Sequence, residues 1–187
     1  LYGEAAIGGV ISVTTRVGGG EPKAYGSTML GSRRTSELTA GFGGKLNDIS
    51  FDLNGGSAET LGFSSMNASK NLTVNPDRDS SRSQFVGASV NQKIDSDLRL
   101  GLRANAKNST TDYDVDNNWS GLKTDTHQFQ IKSDTVGAFA SRRITEAWMM
   151  DIDVSQSHFA YEAIKNGTVA TSGRYEGQQN VLRWTNA

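Results

Sequence analysis

Leu98-Arg99-Leu100-Gly101-Leu102-Arg103-Ala104-Asn105-Ala106-Lys107 decides the fold. Leu98, Leu100, Leu102, Ala104 and Ala106 occupy alternate positions, with Arg99, Gly101, Arg103, Asn105 and Lys107 between them. An extended strand points successive side chains to opposite faces, so this segment has one wholly apolar and one wholly polar face. A helix would mix the two sets around its circumference.

The same period of two extends in both directions. Leu38, Ala40, Phe42 and Leu46 repeat it, as do Ile49, Phe51 and Leu53, then Val86, Ala88 and Val90. Trp148, Met150, Ile152 and Val154 follow it with Asp151, Asp153 and Ser155 opposite. Segments 23–32, 126–143 and 173–186 are noisier. In 126–143 the apolar parity changes between Ile131 and Val136, which predicts either a bulge or a strand rising out of a bilayer. Tight turns are expected at Leu46-Asn47-Asp48, Asp95-Ser96 and Ile144-Thr145, and long polar loops at about 60–81, 112–125 and 163–172. Pro22 and Pro76 fall outside the strands, as the missing N–H requires. The expectation is eight antiparallel strands joined as hairpins.

Alternation alone fits a membrane barrel or a soluble sandwich, since each has one apolar face. Strand length separates them. Soluble strands commonly run about 5–6 residues, whereas 97–111 and 126–143 are far longer. Short turns on one side and long loops on the other is the outer-membrane pattern. Composition is consistent with this. Only 35% of residues are hydrophobic, and 19 Lys+Arg against 20 Asp+Glu give no reason to invoke nucleic acid. The absence of cysteine excludes disulfide scaffolds, thiol nucleophiles and cysteine-ligated zinc. No apolar run approaches the ~18 residues of a spanning helix. The polar face carries Arg99, Arg103, Lys107, Asp151 and Asp153, which read as wall charges pairing with basic or acidic neighbours.

Residues 1–16 differ in character. Gly8-Gly9 precedes the β-branched run Val10-Ile11-Ser12-Val13-Thr14-Thr15, and Gly18-Gly19-Gly20 separates it from the hairpins. The start, Leu1-Tyr2-Gly3, is neither an initiator nor a signal peptide, and the chain reads as an internal fragment of a longer protein. This segment resembles the end of the plug domain in TonB-dependent outer-membrane receptors, whose pattern Leu-Tyr-Gly-x-x-Ala-x-Gly-Gly-Val-Ile-x-Ile-x-Thr-(Lys/Arg) precedes the first barrel strand. Leu1, Tyr2, Gly3, Ala6, Gly8, Gly9, Val10, Ile11, Thr15 and Arg16 match it; Val13 is a conservative departure and Glu4 replaces a small polar residue.

The resemblance implies an all-β chain: residues 1–16 as the last strand of a plug domain, 17–22 as a linker, and 23–187 as an antiparallel transmembrane β-barrel segment, about eight strands of a larger barrel. It places the chain in the cell outer membrane, against outer-membrane lipid. The family takes up large, scarce extracellular ligands, cobalamin or ferric siderophores. Energy comes from an inner-membrane TonB complex that pulls on an N-terminal box, which these residues do not contain. Asn75-Pro76-Asp77-Arg78-Asp79 and Thr111-Asp112-Tyr113-Asp114 are similar to loops of the cobalamin-receptor branch, which hold calcium. By that resemblance Asp77, Asp79 and Asp114 would ligate Ca²⁺, with Ser64 where the branch offers another aspartate. Acidic oxygens from two loops suit such a hard cation, although aspartates are also common turn residues that meet only water.

Asp112-x-Asp114-x-Asp116-Asn117 opens like an EF-hand loop but has Asn117 at the glycine position and Lys123 in place of the bidentate glutamate, so it is rejected. His127 and His158 lie far apart, without partners at metal or triad spacing, and there is no Gly-x-Ser-x-Gly. Nothing reads as an enzyme, and no covalent cofactor is expected. Trp148, Trp184, Phe51 and Tyr161 are candidates for an interfacial aromatic girdle, and Tyr113 and Trp119 for loop contacts with a ligand. A surface adhesin or carbohydrate-binding β protein is the alternative from a different class, and a ferric-siderophore receptor the alternative within the family.

Overall fold

The computed structural model describes residues 18–67, 69–70, 73–115 and 124–187. The expected plug strand at 1–16, together with Asp116 and Trp119, lies outside the described residues. The rest is all-β. Eight antiparallel strands form one sheet in sequence order: β1 (Lys23–Gly31), β2 (Thr35–Leu46), β3 (Ile49–Thr60), β4 (Ser81–Lys93), β5 (Leu98–Asp112), β6 (His127–Thr145), β7 (Trp148–Lys165) and β8 (Thr168–Asn186). Among the described residues β1 and β8 are the two edges. The linker lies against the turn end of β2, where Lys45 N donates to Gly20 O at 2.7 Å.

Register follows from the alternation. Phe42 pairs with Leu53, Leu53 with Ala88, Ala88 with Ala104, Ala104 with Val136, and Ala138 with Val154, which faces Leu182. A slip of one residue anywhere would carry a strand's whole apolar set to the other face. The result is an apolar band across all eight strands, and it is open: Leu30, Leu102 and Leu182 are 81%, 59% and 72% exposed. The only buried apolar side chain among the described residues is Val74, whereas Asp52, Asn91 and Asp125 are buried.

The polar face is flattened by glycines. A Cβ on Gly41 would stand 2.4 Å from the Tyr25 ring, one on Gly56 2.8 Å from Phe85 and one on Gly101 2.2 Å from Phe139. Each ring therefore lies down across the neighbouring strand, in the space a side chain would take. Tyr25 crosses β2 this way to reach Asp52 on β3, its hydroxyl donating at 2.7–2.8 Å to both carboxylate oxygens.

Three expectations need correction. Segment 163–172 is no long loop: β7 and β8 are joined by Asn166-Gly167, with φ of 50° and 77°, the left-handed pair that a two-residue hairpin demands. Of the two readings of the parity change in β6, the bulge falls, because β6 pairs without a break with β5 from Gln128 to Arg142 and with β7 from His127 to Arg143. Ile131 simply faces the other side of the sheet from Val136. For the same reason Tyr161 is on the polar face, not in a girdle with Phe51 and Trp184.

Candidate functional site

The loop from β3 to β4 and the residues following β5 meet at the long-loop end of the sheet. Gly62 turns the chain out of β3 with φ 55°, and a Cβ there would fall 2.0 Å from Asp79 O, so the loop closes on itself only at a glycine. Arg33 lies 4.4 Å over the Phe63 ring, and Asp79 N donates to Phe63 O at 3.3 Å. On the other side, Asp112 N donates to Ser80 O and Tyr113 N to His127 O, which extends the ladder beyond β5 and fixes Asp114 opposite Ser64.

This closure brings together Asp77, Asp79 and Asp114, one carboxylate oxygen from each lying within 4.8 Å of the others. They are the three residues singled out in the sequence. Asp77 is exposed; Asp79 and Asp114 are half-buried. Asp114 Oδ2 accepts from Ser64 Oγ at 2.7 Å and Met66 N at 2.9 Å, Asp79 Oδ2 from Ser65 N at 2.6 Å, and Asp77 Oδ2 from Asn75 Nδ2 at 3.1 Å. The backbone donors of Ser65 and Met66 carry no residue-type signature, so sequence reading misses them. Ser64 is in the cluster but contributes a hydroxyl donor.

Electrostatically the triad is strained. Partial burial, and then the charges of Asp114 and Asp79, push the Asp77 carboxyl above its ordinary value. Neighbouring acids are accounted for differently. Asp112 accepts from Ser80 Oγ and, at 2.8 Å, from Gln128 Nε2. Asp125 is paired with Lys165 Nζ at 2.7 Å and accepts from Asn166 Nδ2 at 2.8 Å. None of the three triad carboxylates forms an ion pair among the described residues, and their all-oxygen donor set fits Ca²⁺ in kind.

Elsewhere on the polar face, Arg103 on β5 reaches Asp153 on β7. Asp153, which shares this face with Asp151, is thus engaged by a guanidinium. The chain matches no protein-family model and no curated protein.

Proposed function

We propose that the chain is part of the wall of a TonB-dependent outer-membrane receptor, with residues 23–187 as consecutive strands of a larger barrel and 1–16 as the end of its plug. On this reading it takes up a large extracellular ligand, cobalamin first among the candidates, and Asp77, Asp79 and Asp114 hold Ca²⁺. One observation carries the reading: the apolar side chains form a continuous exposed band on one face of long hairpins, while the buried positions opposite are polar. Leaving a large apolar side chain in water forfeits roughly 1.5–3 kcal/mol relative to burying it. Lipid is the cover that suits a band shared by every strand, with a glycine-flattened polar wall behind it. Ca²⁺ in the triad would offset three like charges and tie two loops together before ligand arrives.

The absence of native cysteine makes the test clean. Single cysteines at Leu102 and Val154 carry a nitroxide facing lipid, and at Arg103 and Asp153 a nitroxide facing away. Reconstituted in bilayers, the first pair should relax with dissolved oxygen and the second with an aqueous nickel chelate. A soluble, cooperatively folding monomer without detergent would sink the reading.

A further inference from the structure

Asn75, in the loop between β3 and β4, donates from one amide nitrogen to two parts of the chain. Asp77 Oδ2 accepts at 3.1 Å and the backbone oxygen of Asp125 at 3.3 Å. An amide NH2 group has two N–H bonds, so both contacts are made at once. Asp77 belongs to the carboxylate cluster. Asp125 lies 50 residues further along, just before β6, with β4 and β5 standing between the two segments in the sheet. Val74, next to Asn75, has no exposed surface, so the loop is packed down at this point.

Asp125 is held from the other side by the β7–β8 hairpin. It is 7% exposed, and a carboxylate so placed is costly unless it is paired and hydrogen-bonded. Lys165 Nζ and Asn166 Nδ2 supply both needs. Thr126 N donates to Asn166 Oδ1 at 2.9 Å, and Asn166 N donates to Thr126 O at 3.0 Å. Asn166 thus uses both ends of its amide. An aspartate there could accept from Thr126 but would set a second carboxylate against Asp125. The hairpin therefore fixes Asp125, and the Asp125 carbonyl becomes a fixed acceptor for Asn75.

We propose that Asn75 is a positioning residue that fastens the β3–β4 loop to Asp125 and, through Asp125, to the β7–β8 hairpin. Three connections at the long-loop end then move as one unit, and the exposed Asp77 carboxylate is held toward Asp79 and Asp114. A carboxylate has lone pairs enough to accept from Asn75 and still ligate an ion. Where this touches the ion it rests on the reading of the cluster as a Ca²⁺ site, and it adds a third connection to the two that the ion itself would tie. Coupling of this kind is reciprocal: an ion on Asp77 tightens the hairpin, and an intact hairpin tightens the ion.

The test uses the full chain folded in detergent, with hydrogen exchange read residue by residue and Ca²⁺ as the probe. Without Ca²⁺, Asn75→Ala and Asn75→Leu, the second keeping the shape without the donor, should lower protection of the Thr126 and Asn166 amides about fivefold. The Asp97 and Leu98 amides, in the turn at the opposite end of the sheet, should keep theirs. With Ca²⁺, protection at Thr126 and Asn166 should rise in the parent and not in either variant. By calorimetry Asn75→Ala should weaken Ca²⁺ about fivefold. Asn166→Gly alters none of the three carboxylates and tolerates the φ of 50°, yet should weaken the ion about threefold. Equal protection in the parent and the Asn75 variants overturns the proposal. Loss confined to residues 73–80, or spread equally to Asp97 and Leu98, does so too, as a local loop bond or a general loss of stability. Unchanged Ca²⁺ affinity in Asn166→Gly overturns the coupling. A parent that binds no Ca²⁺ would instead sink the calcium reading, and exchange in the ion-free protein would still decide whether Asn75 holds the hairpin.

Discussion

Arg103 reaches Asp153 across an intervening strand, its Nη2 lying 2.6 Å from Oδ2 and 2.8 Å from Oδ1. The two residues are on β5 and β7, and β6 passes between them. What makes room is Gly137, where a Cβ would stand 3.2 Å from Arg103 Nε and 3.1 Å from Val154 O. Both charged side chains remain partly solvated, 34% and 22% exposed, so the pair contributes on the order of 1 kcal/mol.

Gly137→Ala should therefore act through the guanidinium. In the parent it is expected to cost about 1 kcal/mol; in an Arg103→Ala background it should cost close to nothing beyond the backbone contact. Urea unfolding of the four members of the cycle measures the coupling. Equal costs in the two backgrounds would mean that Gly137 matters for β6 and not for the bridge.

Tyr25 over Gly41 follows the same principle with a more buried acceptor. Asp52 is 2% exposed and accepts from Tyr25 Oη and from Asn54 Nδ2, the latter at 2.7 Å. Tyr25→Phe removes a donor to a buried carboxylate and is expected to destabilise by about 1–3 kcal/mol. Gly41→Ala, which forces the ring away, should do at least as much. Tyr25→Phe with Asp52→Asn should recover part of the loss, because the charge has gone with its donor. Additive losses would argue against the hydrogen bond as the cause.

The turn between β4 and β5 carries a pH response. Asp95 Oδ1 accepts from the backbone N–H groups of Asp97 and Leu98, each at 2.7 Å, and these two bonds hold its carboxyl below the ordinary value. A depressed carboxyl stabilises the folded turn above the unfolded value near 3.8, and that contribution is lost as pH falls through the lower folded value. Hydrogen exchange at Asp97 and Leu98 should accordingly lose protection only below about pH 4. In Asp95→Ala the protection of both amides, taken relative to the intrinsic exchange rate at each pH, should be low throughout.

The strands were legible because the chain must keep one face apolar through every hairpin, and Leu98–Lys107 displays that rule without interruption. The sequence rule weakens where the rule itself changes. In β6–β8 the strands run past the apolar band, aromatic residues move to the polar face, and Ile131 then looks like a defect in Val136's pattern. The 163–172 hairpin was hidden for a related reason: Asn166-Gly167 is a strong turn signal, but Thr168 to Gly173 lacks the apolar alternation that would have flagged the strand after it. Asp77, Asp79 and Asp114 could be named from loop chemistry and resemblance. The glycine saddles and the Ser65 and Met66 amides could not, since each depends on which residue stands across a strand or loop.

Ser64 offers the sharpest test of the triad. Its hydroxyl donates to Asp114 Oδ2 at 2.7 Å, so a carboxylate at this position would join the three already present. Without a divalent cation, Ser64→Asp should loosen both loops, because a fourth like charge replaces a hydrogen-bond donor. With Ca²⁺ it should bind the ion about tenfold more tightly than the parent, since ligand charge count sets affinity in oxygen sites. Asp77→Asn and Asp114→Asn should each weaken the ion; in its absence Asp114→Asn should also lower the Asp77 carboxyl, which partial burial and then the charges of Asp114 and Asp79 raise. Tb³⁺ as a Ca²⁺ substitute reads all four proteins directly, because Tyr113 adjoins Asp114 and should sensitise its luminescence on ultraviolet excitation. Displacement by Ca²⁺ then ranks the affinities. Emission that is the same in the parent and in Asp114→Asn would mean that the three carboxylates meet only water.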